Sequence, residues 1–159
     1  MRIATRSGKI NISKEKDTKL IAERLCKHIN LGDFILLTGN LGVGKTTFIK
    51  YIINSLQRIN RQKLSEVPSP TFNITNEYQI KKILIKHFDL YRIKNEKELN
   101  NLGIQENLKN QITLVEWPEI AKKLNIKNSI RLIFKYNKNY TERYLTIISK
   151  NKKIINEFK

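Results

Sequence analysis

A single cysteine, Cys26, leaves no partner for an internal disulfide, and His28 and His87 are the only histidines beside it. One thiol and two imidazoles fall short of a four-ligand zinc centre. Cys26 is therefore read as a helix-packing residue. No apolar run approaches the roughly 18–20 residues that cross a bilayer, and Met1–Ile12 lacks the apolar stretch of a signal peptide. The expectation is a cytosolic protein with no membrane contact. Aspartate is scarce at three residues, so one placed at a strand end stands out. No internal repeat is present.

What the chain has in excess is positive charge: 31 Lys and Arg against 14 Asp and Glu, a formal +17. Clustered cations release counterions from a phosphate backbone, which invites a nucleic-acid reading. Here, however, 23 Lys accompany 25 Ile and 18 Asn with only 3 Ala. That is the mix an A/T-rich genome imposes on any protein, so part of the excess is uninformative. The lysines are spread along the chain, and no aromatic RNA-reading segment accompanies them. At 159 residues, 40% hydrophobic and 28% charged, the chain fits one domain over residues 1–159, able to bury about 68–70% of its unfolded surface.

Leu20, Ile21, Leu25 and Ile29 recur at helical spacing behind Ser13, a candidate cap, with Gly32 as the stop. The run Phe34–Thr38 reads as a strand buried on both faces, and a helix beginning near Lys45 turns Phe48, Ile49, Ile52, Ile53 and Leu56 inward. Asn60 to Pro70 is a loop. Phe72–Ile80 and Ile83–Phe88 predict an antiparallel hairpin turning at Lys81-Lys82. Asn95 with Glu98 predicts a capped short helix ending near Gly103, Ile112–Val115 a second buried strand, and Pro118 the first turn of a helix. Ser129–Tyr136 and Arg143–Ile148 are further strands, and residues 150–159 a solvated tail. The fold class this predicts is α/β: three layers with a mixed, largely parallel central sheet and an antiparallel hairpin.

Between the first buried strand and its helix lies Gly39-Asn40-Leu41-Gly42-Val43-Gly44-Lys45-Thr46, a full GxxxxGK[ST] match in the strand–loop–helix context its mechanism needs. Glycines 39, 42 and 44 let successive N–H groups face phosphate oxygens, and the helix N-terminus adds its positive dipole end. Lys45, expected to stand exposed at this site, reaches the β- and γ-phosphates; Thr46 offers its hydroxyl to Mg²⁺ and Thr47 meets the α-phosphate. Hydrolysis also needs an acidic partner for the metal and a positioned water. Glu116, at the end of Ile112–Val115, is favoured as the Mg²⁺ partner. Asp89, at the end of the other strand, either holds the metal's water or orients the nucleophile.

These stretches, with Ser-Pro-Thr-Phe at 69–72, His-Phe-Asp-Leu-Tyr-Arg at 87–92, Leu-Gly-Ile at 102–104 and Glu-Trp-Pro-Glu at 116–119, resemble the bacterial TsaE family, also called YjeE, over nearly the whole chain. The resemblance implies an ATPase acting with TsaD and TsaB in forming threonylcarbamoyladenosine next to the anticodon of tRNAs that read codons beginning with A. TsaD would transfer the threonylcarbamoyl group. TsaE would couple ATP binding and hydrolysis to turnover of the complex, with tRNA contacted indirectly. It further implies that Lys45 binds phosphate, Thr46 and Glu116 hold Mg²⁺, Asp89 assists hydrolysis, Thr71 sits in a switch-like loop and Trp117 is functional. Ser13 and Thr18 could contribute hydroxyls to the adenine pocket. Asn40 and Val43 depart from the acidic residue and the Ala often found there, and neither change removes a phosphate contact.

Two rivals share parts of this pattern. A small P-loop kinase would need an acceptor pocket and an arginine-bearing lid, and no compact lid segment appears. A basic RNA-binding module stabilised by nucleotide would need no hydrolysis. A GTPase lacks support, since no Asn-Lys-x-Asp stretch is present.

Overall fold

Strand β1 (Thr5–Arg6) and strand β2 (Ile10–Asn11) lead into helix α1 (Glu15–Cys26) in the computed structural model, which describes residues 4–123, 126 and 128–159. Strand β3 (Phe34–Thr38) runs through the glycine loop into helix α2 (Lys45–Ile59). The hairpin β4 (Thr75–Ile80) and β5 (Ile83–Asp89) follows, then α3 (Glu96–Asn101), β6 (Gln111–Glu116), the hairpin β7 (Ser129–Tyr136) and β8 (Arg143–Ser149), and α4 (Lys152–Glu157).

One sheet runs β1-β8-β7-β3-β6-β5-β4, with β2 also paired to β8. Its centre is parallel: β3 lies between β6 and β7, and β6 pairs with β5. The flanks are antiparallel. After β3 the chain skips outward to β4 and β5, returns to β6, then crosses β3 to β7. A crevice therefore opens beyond the carboxyl ends of β3 and β6, where ligands enter such sheets.

Period-two alternation sends β3 into two cores. Ile35 and Leu37 join α1, α2, α4 and the inner faces of β7 and β8, with Phe48, Ile49, Ile52 and Ile53 fully buried. Phe34 faces the other way, toward Phe88, Leu90, Leu99, Ile104 and Val115. Each such side chain contributes about 1.5–3 kcal/mol. Cys26 packs in the first core, where burial pushes its thiol up to about 12.

Several expectations need correction. Helix α1 is capped at Lys14 with no side-chain bond, because Ser13 Oγ instead accepts the Arg143 amide at 2.9 Å. That helix ends at Cys26, well before Gly32, which makes a turn at φ 90°. Strand β4 starts at Thr75, leaving Phe72 85% exposed. Past Pro118 the chain makes a 3-10 turn, Ile120–Lys123, in place of an α-helix. The supposed tail forms α4, because Ile154, Ile155 and Phe158 repeat at helical spacing and find the first core. The asparagine cap is as read: Asn95 Oδ1 accepts the Glu98 amide at 2.9 Å.

Candidate nucleotide site

The loop from Gly39 to Gly44 owes its shape to residues that tolerate positive φ. Gly44, at φ 106°, caps α2, so the helix N-terminus opens onto the loop. At Gly39, φ 144°, a Cβ would stand 2.6 Å from the Phe134 carbonyl oxygen and 2.9 Å from its Cβ. Tyr136 braces the loop from β7, its Oη donating to the Gly42 carbonyl at 3.0 Å.

Beyond this loop a cavity of about 340 Å³ is lined by Leu41, Gly42, Lys45, Thr46, Asp89 and Glu116 among others. Pairing of β5 with β6 sets Asp89 opposite Glu116 and His87 opposite Leu114, so the two carboxylates share one sheet face and one edge. Thr46 Oγ1 donates to Glu116 at 2.8 and 3.0 Å, and His87 Nε2 lies 2.9 Å from Glu116 Oε1. Asp89 Oδ2 accepts from Ser69 at 2.9 Å and Thr71 at 2.8 Å, while its Oδ1 accepts the Tyr91 amide at 3.0 Å. The proline-bearing loop is thereby tied to the end of β5.

Lys45 is only 4% exposed, contrary to the open position expected of it. Its ammonium donates to the Gly39 carbonyl at 2.7 Å and the Asn40 carbonyl at 3.0 Å, and sits 3.8 Å from the centre of the Trp117 ring. Burial lowers its pKa, against the pull of Glu116, Glu119 and Asp89. Trp117 reaches this place through a strained backbone, φ 55°, and also packs on Tyr91 at 4.9 Å.

The family model of the threonylcarbamoyl adenosine biosynthesis protein TsaE matches residues 12–145, which include every side chain just described. The chain belongs to the TsaE family. It is similar to proteins named "tRNA threonylcarbamoyladenosine biosynthesis protein TsaE": 38% identical over 71% of this chain to that of Rickettsia felis, 34% over 77% to that of Aquifex aeolicus, and 35% over 76% to that of Bacillus subtilis. The matched segment spans 64%, 85% and 72% of those three proteins, so it covers less than two thirds of the Rickettsia felis chain. The crystal structure of Bacillus subtilis YdiB superposes with TM-score 0.74 at 24% identity, covering 99% of this chain and 94% of that one, and shows the same fold.

The remaining site candidates lie at the start of α1. A smaller cavity of about 130 Å³ is lined by Ile12, Glu15, Thr18, Val43, Thr47 and Arg143 among others. The Thr18 hydroxyl is spent inside the fold, donating to the Ile12 carbonyl at 3.0 Å. Ser13 does not line the cavity; its carbonyl accepts from Arg143 Nη2 at 2.7 Å, which braces that guanidinium. Sequence reasoning missed Arg143, His87, Ser69 and Tyr91. His87 was within reach, because two residues before Asp89 on a strand is the same face. Arg143 carried no local signal, since only the sheet order brings β8 to the glycine loop.

The residues present suit a nucleotide phosphate with Mg²⁺. A hydroxyl and a carboxylate, bonded to each other at the helix start, are the hard oxygen donors that Mg²⁺ takes together with phosphate and water. Among the described residues no group of three or more His, Cys, Asp or Glu gathers that could hold a metal ion by itself. No described helix is long and apolar enough to cross a membrane.

Proposed function

We propose that residues 1–159 form one Mg²⁺-dependent ATPase domain, slow alone, that drives turnover of a complex with TsaD and TsaB. That complex would form threonylcarbamoyladenosine next to the anticodon of tRNAs reading codons that begin with A. The observation that carries this reading is Thr46 bonded to Glu116, with Asp89 in register beside it, at the mouth of the phosphate loop. The printed names of the relatives point to the same modification.

In this reading the amides of Gly42, Val43 and Gly44 with Lys45 cradle the phosphates, and Lys45 swings from the loop carbonyls to the β- and γ-oxygens. Thr47 meets the α-phosphate, and Thr18 with Arg143 borders the nucleoside side. Thr46 and Glu116 would hold Mg²⁺, which when bound neutralises charge developing on the transferring phosphoryl group. Asp89, fixed by three donors, orients water. Trp117 keeps bulk solvent off the ammonium.

Slow hydrolysis follows from the arginines. Arg143 is committed to Ser13, and Arg92 stacks on Phe72 at 5.6 Å; neither lines the cavity of Thr46 and Asp89. A donor from a partner can be worth about 10³–10⁵ in rate in P-loop enzymes. The loop that carries Ser69 and Thr71 is bonded to Asp89 inside and presents exposed Phe72 outside, so it can sense the γ-phosphate and meet that partner. Steady-state ATPase assays with and without TsaD–TsaB, on wild type and Thr71→Ala, test this. Stimulation by the partners that Thr71→Ala blunts is expected; no stimulation of wild type defeats the reading, and stimulation that Thr71→Ala leaves untouched removes the loop's role.

A further inference from the structure

The outer face of the β7–β8 hairpin is left bare by both layers. Helices α1, α2 and α4 cover its inner side chains, Ile130, Leu132, Phe134, Leu145 and Ile147. The second layer packs on Phe34, Phe88 and Val115 and takes in no described residue of β7 or β8. A groove of about 460 Å³ runs along the bare face, with Ile133, Thr146 and Tyr144 in its lining and Lys9, Lys135 and Lys138 around it. Lys9 is far in sequence from Lys135 and Lys138. Pairing of β2 with β8 and of β8 with β7 gathers them.

All three lysines are exposed, and among the described residues none is in an ion pair. Glu142 stands beside the groove with its Oε2 already accepting from Tyr144 Oη at 2.9 Å and Asn137 Nδ2 at 3.2 Å. A ring lies among the charges: Tyr144 is opposite Lys135 across the strand pair and lines the groove.

We propose that this groove binds single-stranded RNA. The lysines contact successive phosphates, and a base stacks on Tyr144 without sequence preference, the combination by which proteins track single strands. An acidic polypeptide would satisfy the ammonium groups and leave that ring unused, so its place among the lysines favours RNA. The inference stands on the groove alone and is independent of any ATPase activity.

The test is fluorescence anisotropy with a short labelled single-stranded RNA across a salt series. It compares wild type, the triple variant Lys9→Gln/Lys135→Gln/Lys138→Gln, and a control of equal charge, Lys81→Gln/Lys82→Gln/Lys97→Gln, in the β4–β5 turn and on α3. The groove variant should bind at least about tenfold more weakly, with its log–log salt slope flattened by about 2, since each single-strand phosphate contact contributes roughly 0.7. The control should retain most of the affinity. Tyr144→Leu should weaken binding several-fold at an unchanged slope, and matching thermal midpoints verify folding in every variant. Equal loss in the groove and control variants overturns the proposal in favour of diffuse charge. So does binding of polyglutamate with no binding of RNA, or RNA binding that the groove variant leaves intact.

Discussion

His87 Nε2 lies 2.9 Å from Glu116 Oε1, with the imidazole side chain fully buried and the carboxylate side chain 3% exposed. The other ring nitrogen, Nδ1, is buried without a hydrogen-bond partner among the described residues. A polar ring held at that cost fixes the rotamer of the glutamate that Thr46 also engages. His87→Ala should lower stability by about 2 kcal/mol, because a buried carboxylate loses one of the two side chains that hydrogen-bond to it. Urea denaturation of His87→Ala, Glu116→Gln and the double variant measures the coupling. The double variant should lose clearly less than the sum, and additive losses would show that the pair does not interact.

Lys45→Ala should weaken binding of ATP·Mg²⁺ by about 2 kcal/mol, roughly thirtyfold, on calorimetric titration. Its fold should persist. With the folded-state pKa of Lys45 lowered by burial, the unfolded chain binds that proton more tightly. The charged lysine is therefore a cost at neutral pH, relieved only as pH rises toward its ordinary range. Removing it should leave the thermal midpoint unchanged or raised.

Glu116→Gln and Asp89→Asn keep shape and delete charge. Each should reduce Mg²⁺-dependent turnover about ten- to a hundredfold in the partner complex. Raising Mg²⁺ should restore Glu116→Gln more than Asp89→Asn, because only the former loses a metal ligand in the proposed scheme. Turnover like wild type in both variants would displace the site.

Helix α4 is docked by Arg24, which donates to Glu157 Oε1 at 2.8 Å and to its carbonyl, and by His28 at 3.4 Å. These partners hold the Glu157 carboxyl below its ordinary value. A depressed folded-state pKa stabilises above the unfolded carboxylate value, near 4.5, and that contribution vanishes as pH falls through the folded value. Glu157→Gln should accordingly be less stable than wild type at neutral pH, with the gap closing in acid. Ile154→Ala, which empties a fully buried site, should cost about 3 kcal/mol at any pH. Thermal melts across pH separate the two effects.

Local physics wrote much of this protein into contiguous residues. The glycine loop, its preceding strand and its following helix were legible because each depends on backbone freedom and side-chain period within a few positions. The Asn95–Glu98 cap and the turn at Lys81-Lys82 were legible for the same reason. Glu116 and Asp89 could be named as strand-end carboxylates, yet their shared edge depends on the β5–β6 register, which no local pattern encodes. The tertiary structure alone decided that His87 braces Glu116, that Arg143 stands beside Gly44 while held by Ser13, and that Lys152–Glu157 fold back as α4. It alone brought Lys9 beside Lys135 and Lys138 around one groove. The reason is common to all four: short-range preferences select a residue's conformation, whereas its partners are chosen by strand order and register, which emerge only when the whole sheet closes over its cores.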